Sequence, residues 1–227
     1  MRRFEGLPAG AAKRGGGFNG SRYESGSRGP GLQPRQQKHW TVTGNIDLMA
    51  LSATIYNFDI ELADADRQVY ESLALRVARH PSESEEYLIA RILAYLLEYV
   101  DGIQFSRGVS EPDEPPISVR DLTGRMVAWV EIGTPDAARL HRASKSAPRV
   151  AVYTHKDPVQ LLRQLAGERI HRPDAIELYA FDRPLIAALV ARLERRVAFS
   201  VSIAERELFI SIGTETLTGA VSRLTLT

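Results

Sequence analysis

The stretch 81–100, "PSESEEYLIARILAYLLEYV", constrains the fold more than any other. Its apolar residues fall at 88, 89, 92, 93, 96, 97 and 100, the spacing of an amphipathic helix, and Ser82 with Glu85 behind Pro81 has the form of a capping box. A helix over 82–100 must bury that stripe against another layer. Upstream, "LSATIYNFDIELA" alternates Ala53, Ile55, Phe58 and Ile60 with polar residues, and "QVYESLALRVARH" alternates Val69, Leu73, Leu75 and Val77. The two predict an antiparallel hairpin turned at "DADR". Downstream, the polar loop "SEPDEPP" leads into strand "ISVRDL", a turn at Thr123 and Gly124, and strand "RMVAWVEIG". Next comes a helix with Thr134 as N-cap and Pro135 at its first position, then a continuous apolar strand "RVAVYTH" of the parallel, buried type. Helix "DPVQLLRQLA", strand "AIELYAF", helix "RPLIAALVARLERR" and a meander "VAFSVSIA", "ELFISI", "VSRLTL" follow. The order ββ-α-ββ-α-β-α-β-α-βββ specifies one α/β domain, a central mixed β-sheet flanked by helices.

The head of the chain is different. Residues 1–48 hold 10 of the 17 glycines and show no helical or strand period, so they cannot bury enough apolar area to offset ordering entropy. We read 1–48 as a disordered Gly/Arg-rich leader and 49–227 as the folded domain. Sequence upstream of a start at Met49 is preferred for it over an RGG-like nucleic-acid-binding tail or an organellar transit peptide. The overall charge of +1 divides unevenly: the leader carries 8 Lys/Arg against 3 Asp/Glu, which leaves the domain an acidic balance of −4.

Several classes are excluded. With no cysteine there is no disulfide, thiolate nucleophile or Cys-based metal centre. No G-x-S-x-G or Walker-A pattern occurs, and His80, His141, His155 and His171 form no H-x-x-x-H pair. No run reaches the roughly 20 apolar residues of a membrane helix. A soluble, cytoplasmic protein with no membrane partner is expected.

One residue breaks the pattern. Glu131 ends the apolar run Met126, Val127, Ala128, Trp129, Val130, where an ionised carboxylate is costly unless paired, bonded or bound to a cation. Gly133 then lets the chain turn into a helix, at the strand end where ligands of α/β sheets tend to bind. Asp113 and Glu114 open the neighbouring antiparallel strand at the same edge. Glu86 shares the helix face of Ile89, Leu93 and Leu97, and Glu83 lies in the same first turn. Converging carboxylates of this kind hold Mg²⁺ or Mn²⁺. Arg139, Arg142 and Lys145, three apart on the following helix, would meet phosphate oxygens beside the ion. The expected chemistry is metal-assisted phosphodiester hydrolysis, with nucleic acid as partner. A structural ion pair of Glu131 with Arg91 or Arg120 is the competing reading, and solvated surface the competing one for the helix cations.

From Met49 onward the sequence resembles the YaeQ family of bacterial proteins. The resemblance is carried by "MALSATIYNFDIELAD", "LALRVARHPSESEEYLIARILAYLL", "FSRGVSEPDEPPISVRDLTG" and "WVEIGTPDAARLHRASKSAPRVAVYTH". It implies a variant of the PD-(D/E)XK restriction-endonuclease fold. Glu131 then takes the place of the first acid of the E-x-K half-motif, Asp113 or Glu114 that of the preceding acid, and Glu83 or Glu86 that of the helix glutamate. The motif lysine is replaced by Gly133, which leaves Arg142 or Lys145 to supply its charge. The family pattern commonly continues "DEP" with an acid and soon a Trp, where this chain has Pro116, Ile117 and Ser118. The resemblance implies no established reaction, so a catalytically inactive nuclease fold that binds nucleic acid or a protein partner stands beside the hydrolytic reading.

Overall fold

Ten strands and four helices follow one another in a computed structural model that describes residues 53–106 and 114–225. The sequence opens with two eleven-residue strands, β1 (Thr54–Asp64) and β2 (Val69–Arg79), paired antiparallel from Thr54 opposite Arg79 to Asp64 opposite Val69. The buried apolar positions of β1 are Tyr56, Phe58, Ile60 and Leu62, whereas Ile55 is half-buried and Ala53 exposed. The alternation expected from Ala53 and Ile55 is therefore out of phase at its start, because Tyr56, amphipathic and scored as polar, is a core residue.

Helix α1 (Glu85–Leu97) is shorter than the expected 82–100. Its N-cap is Ser84, whose hydroxyl accepts from the Tyr87 N–H at 3.2 Å, while Ser82 pairs with His80 Nδ1 at 2.7 Å and caps nothing. At the other end Arg67 donates to the carbonyls of Leu96 and Tyr99, at 2.8 and 3.0 Å, the former also accepting from the Tyr99 N–H at 3.3 Å. After α1 comes a short strand that the sequence did not announce, β3 (Ile103–Phe105), then β4 (Ile117–Arg120) and β5 (Met126–Ile132). Helix α2 (Ala137–Ser146) is capped by Asp136, which accepts from the Arg139 N–H at 2.7 Å, and not by Thr134. Strand β6 (Arg149–Thr154), α3 (Pro158–Leu165) and β7 (Ile176–Phe181) match expectation, and a 3-10 turn at Pro173–Ala175, not foreseen, leads into β7. Helix α4 (Arg183–Val190) ends six residues before the predicted helix does, and the meander is β8 (Arg196–Ala204), β9 (Glu207–Ile212) and β10 (Glu215–Leu224).

All described residues belong to one compact unit, Leu48–Thr227. The strands form one mixed sheet in the order β2-β1-β8-β9-β10-β7-β6-β5-β4-β3. Strands β5, β6 and β7 are mutually parallel, as are β1 and β8, and the remaining neighbours are antiparallel. Along β5 the side chains alternate between two cores. Val130 and Ile132 join the larger core, with α1, α4 and the inward residues of β1, β8, β9 and β10. Trp129 joins a second core with Leu140 and Ala143 of α2, Leu161 and Leu165 of α3, and Val150 and Val152 of β6. By the same alternation Glu131 lies on the α2 face, opposite to α1. No helix among the described residues is long and apolar enough to cross a membrane.

Candidate functional site

Glu131 is 2% exposed, and two groups hold it. The indole N–H of Trp129, two residues earlier on the same face, donates to Oε1 at 2.5 Å. The guanidinium of Arg139 donates from Nε to the same oxygen at 2.6 Å. The Asp136 cap fixes the Arg139 backbone in the first turn of α2, its guanidinium lies 5.7 Å from the centre of the Trp129 ring, and Nη2 donates to the Glu114 carbonyl at 2.9 Å. Arg139 thus spans the end of β5 and the segment entering β4. Burial pushes the Glu131 carboxyl above its ordinary range, opposed by Arg139, Trp129 and the more distant charge of Arg142.

The expected residues are distributed as follows. Glu114 is exposed and joins the site through its backbone carbonyl; Asp113 lies outside the described residues. Arg142 and Lys145 are exposed on α2. Glu83 is buried elsewhere: Arg91 donates to it from Nη1 and Nη2 at 3.2 and 3.4 Å, and the His80 N–H at 3.0 Å. Glu86, half-buried in the first turn of α1, is held low by the Ser84 hydroxyl and its own N–H, against burial, and then by Lys156 and His155. The sheet separates the two sets, since α1 packs on the face opposite to Glu131. Neither Arg91 nor Arg120 is the partner of Glu131: Arg120 donates to the Gly124 carbonyl.

This arrangement bears on the metal implied by the E-x-K resemblance. Mg²⁺ and Mn²⁺ need several oxygen donors around one point. Among the described residues no three His, Asp or Glu side chains are grouped to hold an ion, and the Oε1 of Glu131 already receives two N–H donors. The described donor set does not fit either ion. Gly133 itself has φ +89°, a conformation in which a lysine would be strained.

Two further constellations went unseen in the sequence. At the amino ends of β6 and β7, Glu98 accepts from Arg149 at 2.6 and 3.0 Å and from the Tyr153 hydroxyl at 2.7 Å, and Arg149 also donates to Glu177 at 2.6 Å. Separations of 51 and 28 residues hide such a network from any local pattern. At the carboxyl ends of β5 and β6, His155 is 6% exposed, and burial, followed by the charge of Lys156, pushes it down to about 4. Its ring meets Tyr87 edge-on at 6.2 Å. The one available signal was a histidine ending a buried strand.

A family model described as "YaeQ protein" matches residues 49–221. The "Uncharacterized protein YaeQ" of Escherichia coli (strain K12) is 30% identical over 164 residues, 72% of this chain and 91% of that protein. The protein of the same name from Salmonella typhi matches to the same extent. Crystal structures of YaeQ proteins from Pseudomonas syringae and Xanthomonas axonopodis pv. citri are 29% identical, each with a TM-score of 0.69. They cover 76% of this chain and 96% and 98% of their own. With the match spanning nearly the whole of the folded region, the chain belongs to the YaeQ family.

Proposed function

We propose that this domain is a restriction-endonuclease-like fold that binds a nucleic-acid backbone along α2 without hydrolysing it. The observation that carries the reading is the Arg139 guanidinium, 2.6 Å from Glu131 and 2.9 Å from the Glu114 carbonyl. A side-chain cation sits between the two segments that a nuclease would use to hold its ion. The mixed sheet with helices on both faces, and Glu131 at the end of a strand beside its hairpin partner, support the likeness of fold.

Binding rests on the exposed side of α2. Arg142 and Lys145 point away from the buried face made by Leu140, Ala143 and Ser144. His141 lies 6.1 Å from His171 in the loop before β7, and Arg172 is close enough, with Lys145 and His141, to add to desolvation in lowering His171. The acidic balance of the rest of the domain confines phosphate contacts to this patch, so the binding is weak, independent of base sequence and sensitive to salt.

Fluorescence anisotropy of labelled single strands and duplexes tests this. The expectation is binding at low salt with a log–log salt slope of about −2 for a two-phosphate contact. Arg142→Glu with Lys145→Glu should remove it, and Mg²⁺ or Mn²⁺ should generate no cleavage product. Failure of the wild-type chain to bind at low salt overturns the reading. Metal-dependent cleavage that Glu131→Gln abolishes also overturns it, in favour of hydrolysis.

A further inference from the structure

The two edges of the sheet are finished differently. At one end of the strand order stands β3, three residues long; at the other stands β2, eleven residues long and paired on one side only among the described residues. An open strand edge is a template for another chain, and proteins guard it with shortness, a bulge, proline or charge. Shortness guards β3. Strand β2 contains no proline and no lysine, and its register against β1 runs without a bulge from Val69 to Arg79.

The hydrogen bonds of β1 show which groups of β2 face outward. The N–H groups of Asn57 and Ala65 donate to the carbonyls of Arg195 and Ile203, so the odd-numbered residues along β1 turn their peptide groups toward β8. Their opposites in β2 are even-numbered, as Arg76 is to Asn57, so Ser72, Ala74, Arg76 and Ala78 direct N–H and C=O away from the sheet. The Ala78 carbonyl accordingly accepts from Arg91, at 2.7 Å. All four residues are exposed. The odd-numbered side chains turn to the larger core, where Val77 is buried but Leu73 and Leu75 are only half-buried.

Two charges share that inner face, Glu71 and Arg79, four residues to either side of Leu75. Inward-facing charges at an edge repel an arbitrary apolar strand. An acid and a base set symmetrically about one residue admit a second copy of the same strand. With two copies antiparallel about Leu75, Glu71 lies opposite Arg79, Leu73 opposite Val77 and Leu75 opposite itself, while Ala74 and Arg76 exchange hydrogen bonds. Arg79 gives Nη1 to the Glu83 carbonyl at 2.8 Å, which leaves Nη2 for the acid. A shift of two residues either way sets Glu71 opposite Val77 or Leu73 opposite Arg79, so the match singles out one register. We infer that β2 is the interface of a two-fold dimer, in which the sheets of two copies of this chain join edge to edge about Leu75. The inference is independent of the nucleic-acid reading, which stands on α2.

A single strand pair is small beside the roughly 1,200–2,000 Å² of a standard interface, so the dimer should be reversible and half-assembled at about 10–100 µM. Sedimentation velocity of the full chain across that range tests it. Ala74→Pro removes an outward N–H, a change that edge strands tolerate, and Glu71→Arg sets like charges opposite each other at an exposed position; each should weaken association at least tenfold with an unchanged circular dichroism spectrum. The chain has no cysteine, so Leu75→Cys gives one thiol, which would meet its copy at a non-hydrogen-bonded pair with Cα atoms about 4.5 Å apart, within disulfide reach. Diamide should link it into dimers far faster than Leu73→Cys, whose copies stand four residues out of line. A full chain that stays monomeric at about 500 µM overturns the inference, whatever segment then covers β2. Association that both Ala74→Pro and Glu71→Arg leave unchanged overturns β2 as the interface, and equal linking of the two cysteine variants overturns the register.

Discussion

The molecule contains the same chemical grip twice. Glu83–Arg91 and Glu131–Arg139 each join a buried carboxylate to an arginine that lies near an aromatic ring and donates to a backbone carbonyl of another segment. Arg91 is 5.8 Å from the Tyr87 ring centre and reaches the Ala78 carbonyl at 2.7 Å; Arg139 is 5.7 Å from Trp129 and reaches that of Glu114. Tyr87 stands within the field of both pairs and, chiefly through burial, is pushed up to about 12. The difference is access. The side chains of Arg91 and Glu83 are 2% and 3% exposed, whereas Arg139 is 22% exposed over a Glu131 at 3%. A pair with neither partner open to solvent can act only as a clamp, while one whose cation reaches the surface can exchange its bonds with a ligand.

The sharpest test breaks the inner pair. Arg91→Met keeps the apolar stem and volume but leaves Glu83 buried without its cation, which should cost about 3–5 kcal/mol in urea unfolding. Adding Glu83→Gln should recover much of that, because the uncompensated charge is then gone. A loss below about 1 kcal/mol would mean that Glu83 simply takes up a proton or water, and the inner pair would no longer count as a clamp.

The next effect is read in pH. Burial, then the charge of Lys156, holds His155 down at about 4 in the folded chain against an ordinary 6.5. Between these values the unfolded chain binds the extra proton, so stability falls as pH drops from about 6.5 to 4, by on the order of 3 kcal/mol for this group. Below that window nothing more is lost. His155→Gln should flatten this part of the urea-midpoint profile. A variant with the wild-type slope would show that the His155 ring beside Tyr87 is as open to water as the surface of α2.

Arg139→Met should cost less than its inner counterpart, about 1–2 kcal/mol, because Glu131 keeps the Trp129 N–H and lies beneath a partly exposed residue. Equal losses for Arg91→Met and Arg139→Met would erase the distinction between the two pairs.

The two arginines also mark how far the sequence could be read. Helical spacing identified α1, and strict alternation or continuous apolar runs identified nine of the ten strands, because secondary-structure periods are local. What the sequence misplaced is non-local. Helix starts moved because Ser84 and Asp136, each two residues from the expected cap, accept from the free N–H groups of the first turn. The three-residue β3 is too short to show a period. At the site, Glu131 stood out as a strand carboxylate needing a partner, and the partner came from a helix already noted for its cations. The face was misjudged: Glu86 and Glu131 were placed together, although the pleat sends Glu131 to α2 and leaves α1 on the other side.

The smallest expected effect discriminates most finely. Burial raises the Glu131 carboxyl against the pull of Arg139, Trp129 and Arg142. A raised carboxyl keeps its proton in the folded state above the pH at which the unfolded chain releases it. The stability it contributes is therefore full below the ordinary 4.5 and lost as pH rises through the folded value. Glu131→Gln removes this titration while keeping an acceptor oxygen for Trp129 and Arg139, so at neutral pH its net effect should stay within about 1 kcal/mol. The difference between wild type and variant should shrink as pH rises across that window. Were it to grow instead, the Arg139 and Trp129 bonds would outweigh burial, the carboxylate would be locked in its charged form, and the outer pair would be a second clamp with no bonds to lend.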